Sequence, residues 1–199
     1  MRSFALLAFA FLCRIISAQG IDLGTISYSP ALVSNLSHVY NETSGLAFFN
    51  DTILSINDSG NQPVLHALRS TDGQHLQSWP IANALNVDWE ALALSPTMLF
   101  IGDIGNNAGN RSTLDIYRMD RTALLPTATS LSAQKLTFKY ADQPAQSLPI
   151  NAHNYDSEAM FYWQDSLHIL SKNWQNLWTR HYVLPSNWQD TLVLSPRDS

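Results

Sequence analysis

The chain has 199 residues, a formal net charge of −5, and 45% hydrophobic against 14% charged residues. That is the composition of a folded globular chain rather than a disordered one. Past the N-terminus, no apolar run reaches the ~20 residues that a membrane-spanning helix needs. Cys13 is the only cysteine, so disulfides and cysteine-ligated metal sites are excluded, and with residues 1–18 removed no thiol nucleophile remains.

Residues 1–18 read as a signal peptide. Met1-Arg2 supplies the positive start, Phe4 to Cys13 the short apolar stretch, and Ile16-Ser17-Ala18 a small residue for cleavage. Cys13 is not preceded by the small residue of a lipoprotein cleavage site. The expected address is therefore secreted, either extracellular or periplasmic. Taking Arg2 and Arg14 from the 11 basic residues leaves nine against 16 acidic, a mature balance of −7. An acidic chain without a Lys/Arg cluster argues against nucleic acid or an anionic membrane as partner, and leaves a small molecule or an extracellular partner. Asn35, Asn41, Asn50, Asn57 and Asn110 begin Asn-X-Ser/Thr sequons, which matter only in a eukaryotic secretory pathway.

Next along the chain comes a repeated pattern. Residues 44–58, 90–103 and 158–172 share an apolar run, a turn-forming pair and a second apolar run. The pairs are Asn50-Asp51, Pro96-Thr97 and Gln164-Asp165. Each segment reads as a β-hairpin, since the runs are too short and too interrupted for helices. A third strand is expected at 64–69, 114–119 and 178–184, and a fourth at 74–81, 134–140 and 189–194. The turn Ser70-Thr71-Asp72-Gly73 joins the third and fourth strands of the first unit.

The resulting expectation is an all-β fold over residues 19–199. It is a β-propeller of four-stranded antiparallel blades, about three of them present, with hairpins starting near 44, 90 and 158. A β-sandwich also shows many short strands, but it does not explain one hairpin recurring in the same order. Complete propellers have about 4–8 blades, so the chain is expected either to be part of a larger one, the favoured reading, or to continue in a partner. Residues 23–40 are expected to form the outer strand of a final blade.

In an antiparallel hairpin, the start of the first strand and the end of the second lie together. Ser44 then falls beside Asn57-Asp58, Glu90 beside Asp103, and Glu158 beside Lys172-Asn173. Glu42, Asp88 and Asp156 join the same rim, as do the oxygen-rich stretches 57–61 and 102–110, which include Asn106 and Asn107. Converging carboxylates and amide oxygens suit a hard cation such as Ca²⁺. The competing reading is structural, with Asp and Asn capping strand ends and a buried Glu bonded to the next blade's backbone. Carboxylate catalysis is a third. The six histidines show no paired ligand spacing, and His66 and His168 read as satisfied strand residues. Trp89, Trp163, Trp174 and Trp178 read as packing residues, with sugar stacking an alternative for Trp174. Neither a nucleophile elbow nor a phosphate-binding glycine loop is present.

The set Glu42-Thr-Ser-Gly-Leu46, Asn57-Asp-Ser-Gly60, Asp88-Trp-Glu-Ala-Leu92, Gly102-Asp-Ile-Gly-Asn-Asn107 and Asp156-Ser-Glu-Ala-Met160 resembles a family of secreted bacterial propeller proteins of unassigned activity, often carrying a C-terminal sorting domain for type IX secretion. The resemblance covers roughly residues 35–190 and implies architecture and address rather than a reaction. More distantly, the arrangement resembles six-bladed calcium-dependent lactonases and phosphotriesterases, which place Glu, Asn and Asp around Ca²⁺ at the channel mouth. That likeness implies Glu90, Asp103 and Glu158 as ligands, with Asp58 and Glu42 nearby. It is weakened by Ser44, which stands where the first unit would carry the Glu. The expected function is thus a secreted module binding a ligand or partner at the channel mouth, with calcium. A calcium-dependent phosphoester or lactone hydrolase and a purely structural exported domain are the alternatives.

Overall fold

The computed structural model describes Ser27 and residues 29–197. The signal-peptide segment 1–18 and residues 23–26 lie outside that range. Short alternating runs of aliphatic, aromatic and β-branched residues, separated by Asn, Asp, Gly and Pro, form twelve strands among the described residues. The first sheet holds β1 (Thr43–Phe49), β2 (Thr52–Asn57), β3 (Val64–Arg69) and β4 (His75–Pro80) in that spatial order. The second holds β5 (Trp89–Leu94), β6 (Met98–Asp103), β7 (Leu114–Asp120) and β8 (Gln134–Tyr140), also in order. The third holds β9 (Asp156–Trp163), β10 (Ser166–Lys172) and β11 (His181–Pro185).

The three hairpins close as expected. Phe49 faces Thr52 and Trp163 faces Ser166 across two-residue turns. Both turn residues have positive φ in each case, 48° and 58° at Asn50-Asp51 and 46° and 57° at Gln164-Asp165. This primed turn matches the right-handed twist of the flanking strands.

Two expectations are corrected. The fourth strand of the third unit does not join its own sheet. It is reduced to β12 (Leu192–Leu194), which pairs in parallel with β8, Leu192 opposite Phe138 and Leu194 opposite Tyr140. The backbone here is held by bonds other than those a hairpin would make. Trp188 Nε1 donates to the Thr137 carbonyl at 2.7 Å, and Ala141 N to the Leu194 carbonyl at 2.8 Å. Residues 29–40 likewise contain no strand, only a one-turn 3-10 helix at His38–Tyr40.

The first strands are neighbours, β5 lying against both β1 and β9. Gly45 makes this approach possible, since a Cβ there would sit 3.0 Å from the Ala91 carbonyl carbon. Alternation then sends the second sheet's side chains into two cores. Leu92, Leu99, Ile101, Tyr117 and Met119 pack against Leu54, Ile56, Leu65 and Trp79 of the first sheet. Ala91, Phe100, Ile116, Leu136 and Phe138 pack against Met160, Leu167, Ile169, Tyr182 and Leu184 of the third. The middle sheet therefore packs against another sheet on both faces, and each of the outer two on one.

Candidate functional site

The first strand of every sheet carries a β-bulge at its start. Pairing skips Ser44 in β1, Glu90 in β5 and Glu158 in β9. An extra residue in one strand re-aims its side chain. At Ser44, Oγ donates 2.6 Å to the Trp89 carbonyl, linking the first and second sheets. The structural reading expected such a bond to the neighbouring backbone from a buried Glu; here a Ser makes it. At Glu90 the residue enters a cluster instead.

Asp58 follows β2, Asp88 precedes β5, and Glu90 is the β5 bulge. One carboxylate oxygen from each lies within 4.8 Å of the others. Asn86 holds the two segments together, donating through Nδ2 to the carbonyls of Asn57 at 2.9 Å and Asp58 at 2.8 Å. Its Oδ1 accepts from Trp89 N at 3.1 Å. From the other side, Gly105 N donates 3.1 Å to the Asp88 carbonyl. A Cβ at Gly105 would run into the Asp88 carboxylate and lie 2.8 Å from Glu90 Oε1. The absent side chain leaves room for both carboxylates to point inward.

The other rim residues are engaged. Asp103 is fully buried, accepts from Asp88 N at 3.0 Å, and pairs with Arg111 Nη2 at 2.8 Å. Glu158 pairs with Lys172 Nζ at 2.6 Å. Asp156 accepts from Asn106 N at 2.7 Å and from Trp174 Nε1 at 2.8 Å. Glu42 accepts from Asn61 Nδ2 at 2.6 Å. Asn106 Oδ1 accepts from Arg111 N at 3.0 Å. The Asn107 carbonyl accepts from Asn151 N, and Asn173 Oδ1 from Ser171 Oγ at 2.7 Å. Of the three positions implied by the calcium-enzyme likeness, the structure brings only Glu90 into the cluster, with Asp58 beside it. Asp88, placed on the rim by its register, completes it.

Among the described residues, no hydrogen bond or ion pair engages the carboxylates of Asp88 or Glu90, and their titration reflects that. Burial, then the charges of Asp58, Asp156 and Asp103, push Asp88 up from 3.8 to about 6, with Arg111 opposing. Burial, then Glu158, Asp58, Asp88 and Asp156, push Glu90 from 4.5 to about 9. Burial also raises Asp103, against the pull of Arg111.

Arg111, Asn86 and Gly105 were not singled out from sequence. Arg111 had a signal, as the one basic residue bordering the oxygen-rich stretch 102–110. Trp174, an alternative sugar-stacking residue, is tied to Asp156, and Lys172 Nζ lies 4.4 Å from its ring centroid. Asn57 is buried and donates to the Val39 carbonyl at 2.7 Å. In this fold its sequon is closed.

No protein-family model and no curated protein sequence matches the chain. Among solved structures it is similar to the computationally designed Ika4 protein, with 11% identity and a TM-score of 0.39 over 79% of this chain and 74% of that one. It is also similar to the computationally designed Ika8 protein, with 11% identity and a TM-score of 0.34 over 83% of this chain and 43% of that one.

Proposed function

We propose that the chain is a secreted β-propeller module that binds a divalent cation, calcium by its chemistry, at the rim formed by the starts of its first strands. It presents that rim to an extracellular ligand. One observation carries the reading. Asp58, Asp88 and Glu90 gather three carboxylates within 4.8 Å, while the neighbouring Asp103 and Glu158 already have Arg111 and Lys172 as counter-ions.

The donors fit the ion. All three are hard oxygen ligands, the class Ca²⁺ prefers, and the space a side chain at Gly105 would fill is left to them. Carboxylates this close repel one another unless protonated or bridged by a cation. Support for the propeller comes from the recurring hairpin, the recurring bulge and the adjacency of β1, β5 and β9. The signal-peptide pattern in residues 1–18 supports export.

Thermal unfolding with Ca²⁺ and with chelator is the test. A ligand that binds only the native state stabilises it by RT ln(1 + [L]/Kd), about 2.7 kcal/mol at a hundred times Kd. The expected result is a rise of several degrees with Ca²⁺ that disappears in Glu90→Gln and in Asp88→Asn. An unchanged Tm would overturn the reading.

A further inference from the structure

The two internal sheet contacts follow one rule. Counting from the bulge, the residues two and four further on (Leu92 and Leu94, Met160 and Tyr162) pack on the preceding sheet. The residues one, three and five further on (Gly45, Ala47 and Phe49; Ala91 and Ala93) meet the following sheet. Call these the leading and trailing faces. The rule leaves one of each over. The leading face of the first sheet offers Leu46 and Phe48, 61% and 64% exposed, where the equivalents of Leu46, Leu92 and Met160, are 7% and 6%, and those of Phe48, Leu94 and Tyr162, are half-buried. The trailing face of the third sheet offers Ala159, Phe161 and Trp163, the latter two 43% and 57% exposed, where the equivalent Ala93 is 4%.

The groove at the start of that trailing face is also open, about 420 Å³ lined by Glu158, Ala159, Leu170, Ser171 and Asn173 among others. At the first sheet, the corresponding position receives the segment before β5, through the Ser44–Trp89 and Asn86–Asp58 bonds. At the second, it receives the segment before β9, through the bond from Asn106 Nδ2 to the Tyr155 carbonyl.

Three buried polar side chains on these two faces already have partners in their own sheets. His66 Nδ1 lies 2.8 Å from Ser78 Oγ, Ser55 Oγ 3.2 Å from Thr43 Oγ1, and His168 Nδ1 2.7 Å from His181 Nε2. They can be covered without stranding a donor or acceptor.

From this we infer that the two faces bind each other between two copies of the chain, the leading face of each seated on the trailing face of the other. The occupant is a second copy because this face pair already forms twice within one copy, through equivalent residues. Phe49 and Leu94 share the core between the first and second sheets, so their counterparts Trp163 and Phe48 meet across the new contact. Two copies use all four faces in a two-fold ring of six sheets, within the range of about 4–8 over which such rings close. This inference does not depend on the cation site.

Light scattering on the eluting full chain across a concentration series tests it. The expected mass is that of two chains. Phe48→Lys alone and Trp163→Glu alone are expected to elute as single chains with unchanged far-UV circular dichroism, both residues being exposed. An equal mixture of the two variants is expected to recover the two-chain mass, because the intact trailing face of one meets the intact leading face of the other. A wild-type chain that stays single throughout overturns the inference. So does either variant remaining paired by itself, or a variant mixture that stays single. Masses above two chains would overturn the closed ring in favour of an open stack. Leu46→Lys repeats the leading-face arm should Phe48→Lys fail to fold.

Discussion

Glu90 is the residue on which the rim's electrostatics turn. Its folded-state pKa of about 9 stands above the ordinary 4.5 because burial and the charges of Glu158, Asp58, Asp88 and Asp156 disfavour ionisation. The folded chain therefore holds this proton more tightly than the unfolded chain. The stability it contributes is fully present below about pH 4.5 and is lost as pH rises toward 9. In chelator, Tm is expected to fall progressively across that window, and Glu90→Gln is expected to flatten the Glu90 share of the slope. Ca²⁺ is expected to reverse the trend, since it takes the place of the proton. A Tm in chelator that is level from pH 5 to 9 would refute the assignment. Asp103 differs in having a counter-ion. Its carboxylate is fully buried and its Oδ1 pairs with Arg111 at 2.8 Å, which offsets part of the cost of burial, while Oδ2 has no hydrogen-bond partner among the described residues.

At the scale of the element, the hairpins carry the repeat and the turns carry its strain. Asn50 and Asp51 tolerate the left-handed region because a short polar side chain can bond locally, whereas Gln164 at φ 46° has no such compensation. Replacing Gln164-Asp165 by Asn-Gly is expected to raise stability by about 1 kcal/mol, read as a higher denaturation midpoint at unchanged slope. The hairpins, their turn pairs and the rim register were all legible from the sequence, because each depends on residues within about fifteen positions of one another. The bulges were not. Nothing in Glu90 or Glu158 distinguishes a paired from an unpaired strand residue until the partner strand's register is known.

For the whole molecule, the third sheet depends on chain that leaves it. Trp188 is 8% exposed, bonds the Thr137 carbonyl, and lies in the core shared by the second and third sheets. Trp188→Ala is expected to destabilise by about 3 kcal/mol, through cavity formation and a lost hydrogen bond. The loss should appear as early unfolding of β9–β11 by hydrogen exchange. Protection lost evenly across all three sheets would show the strap to be incidental.

Local patterning was enough to establish an all-β chain of recurring hairpins with a polar rim, because alternation and turn chemistry act over short distances. Tertiary structure alone decided where the last strand pairs, since β8 and the turn after β11 are some fifty residues apart and no local signal ranks that parallel edge above an antiparallel one. It also decided which carboxylates gather. Asp103 and Glu158 looked no less suited to a cation than Asp58 and Asp88. What separated them was the placement of Arg111 and Lys172, two side chains whose reach is set by the fold.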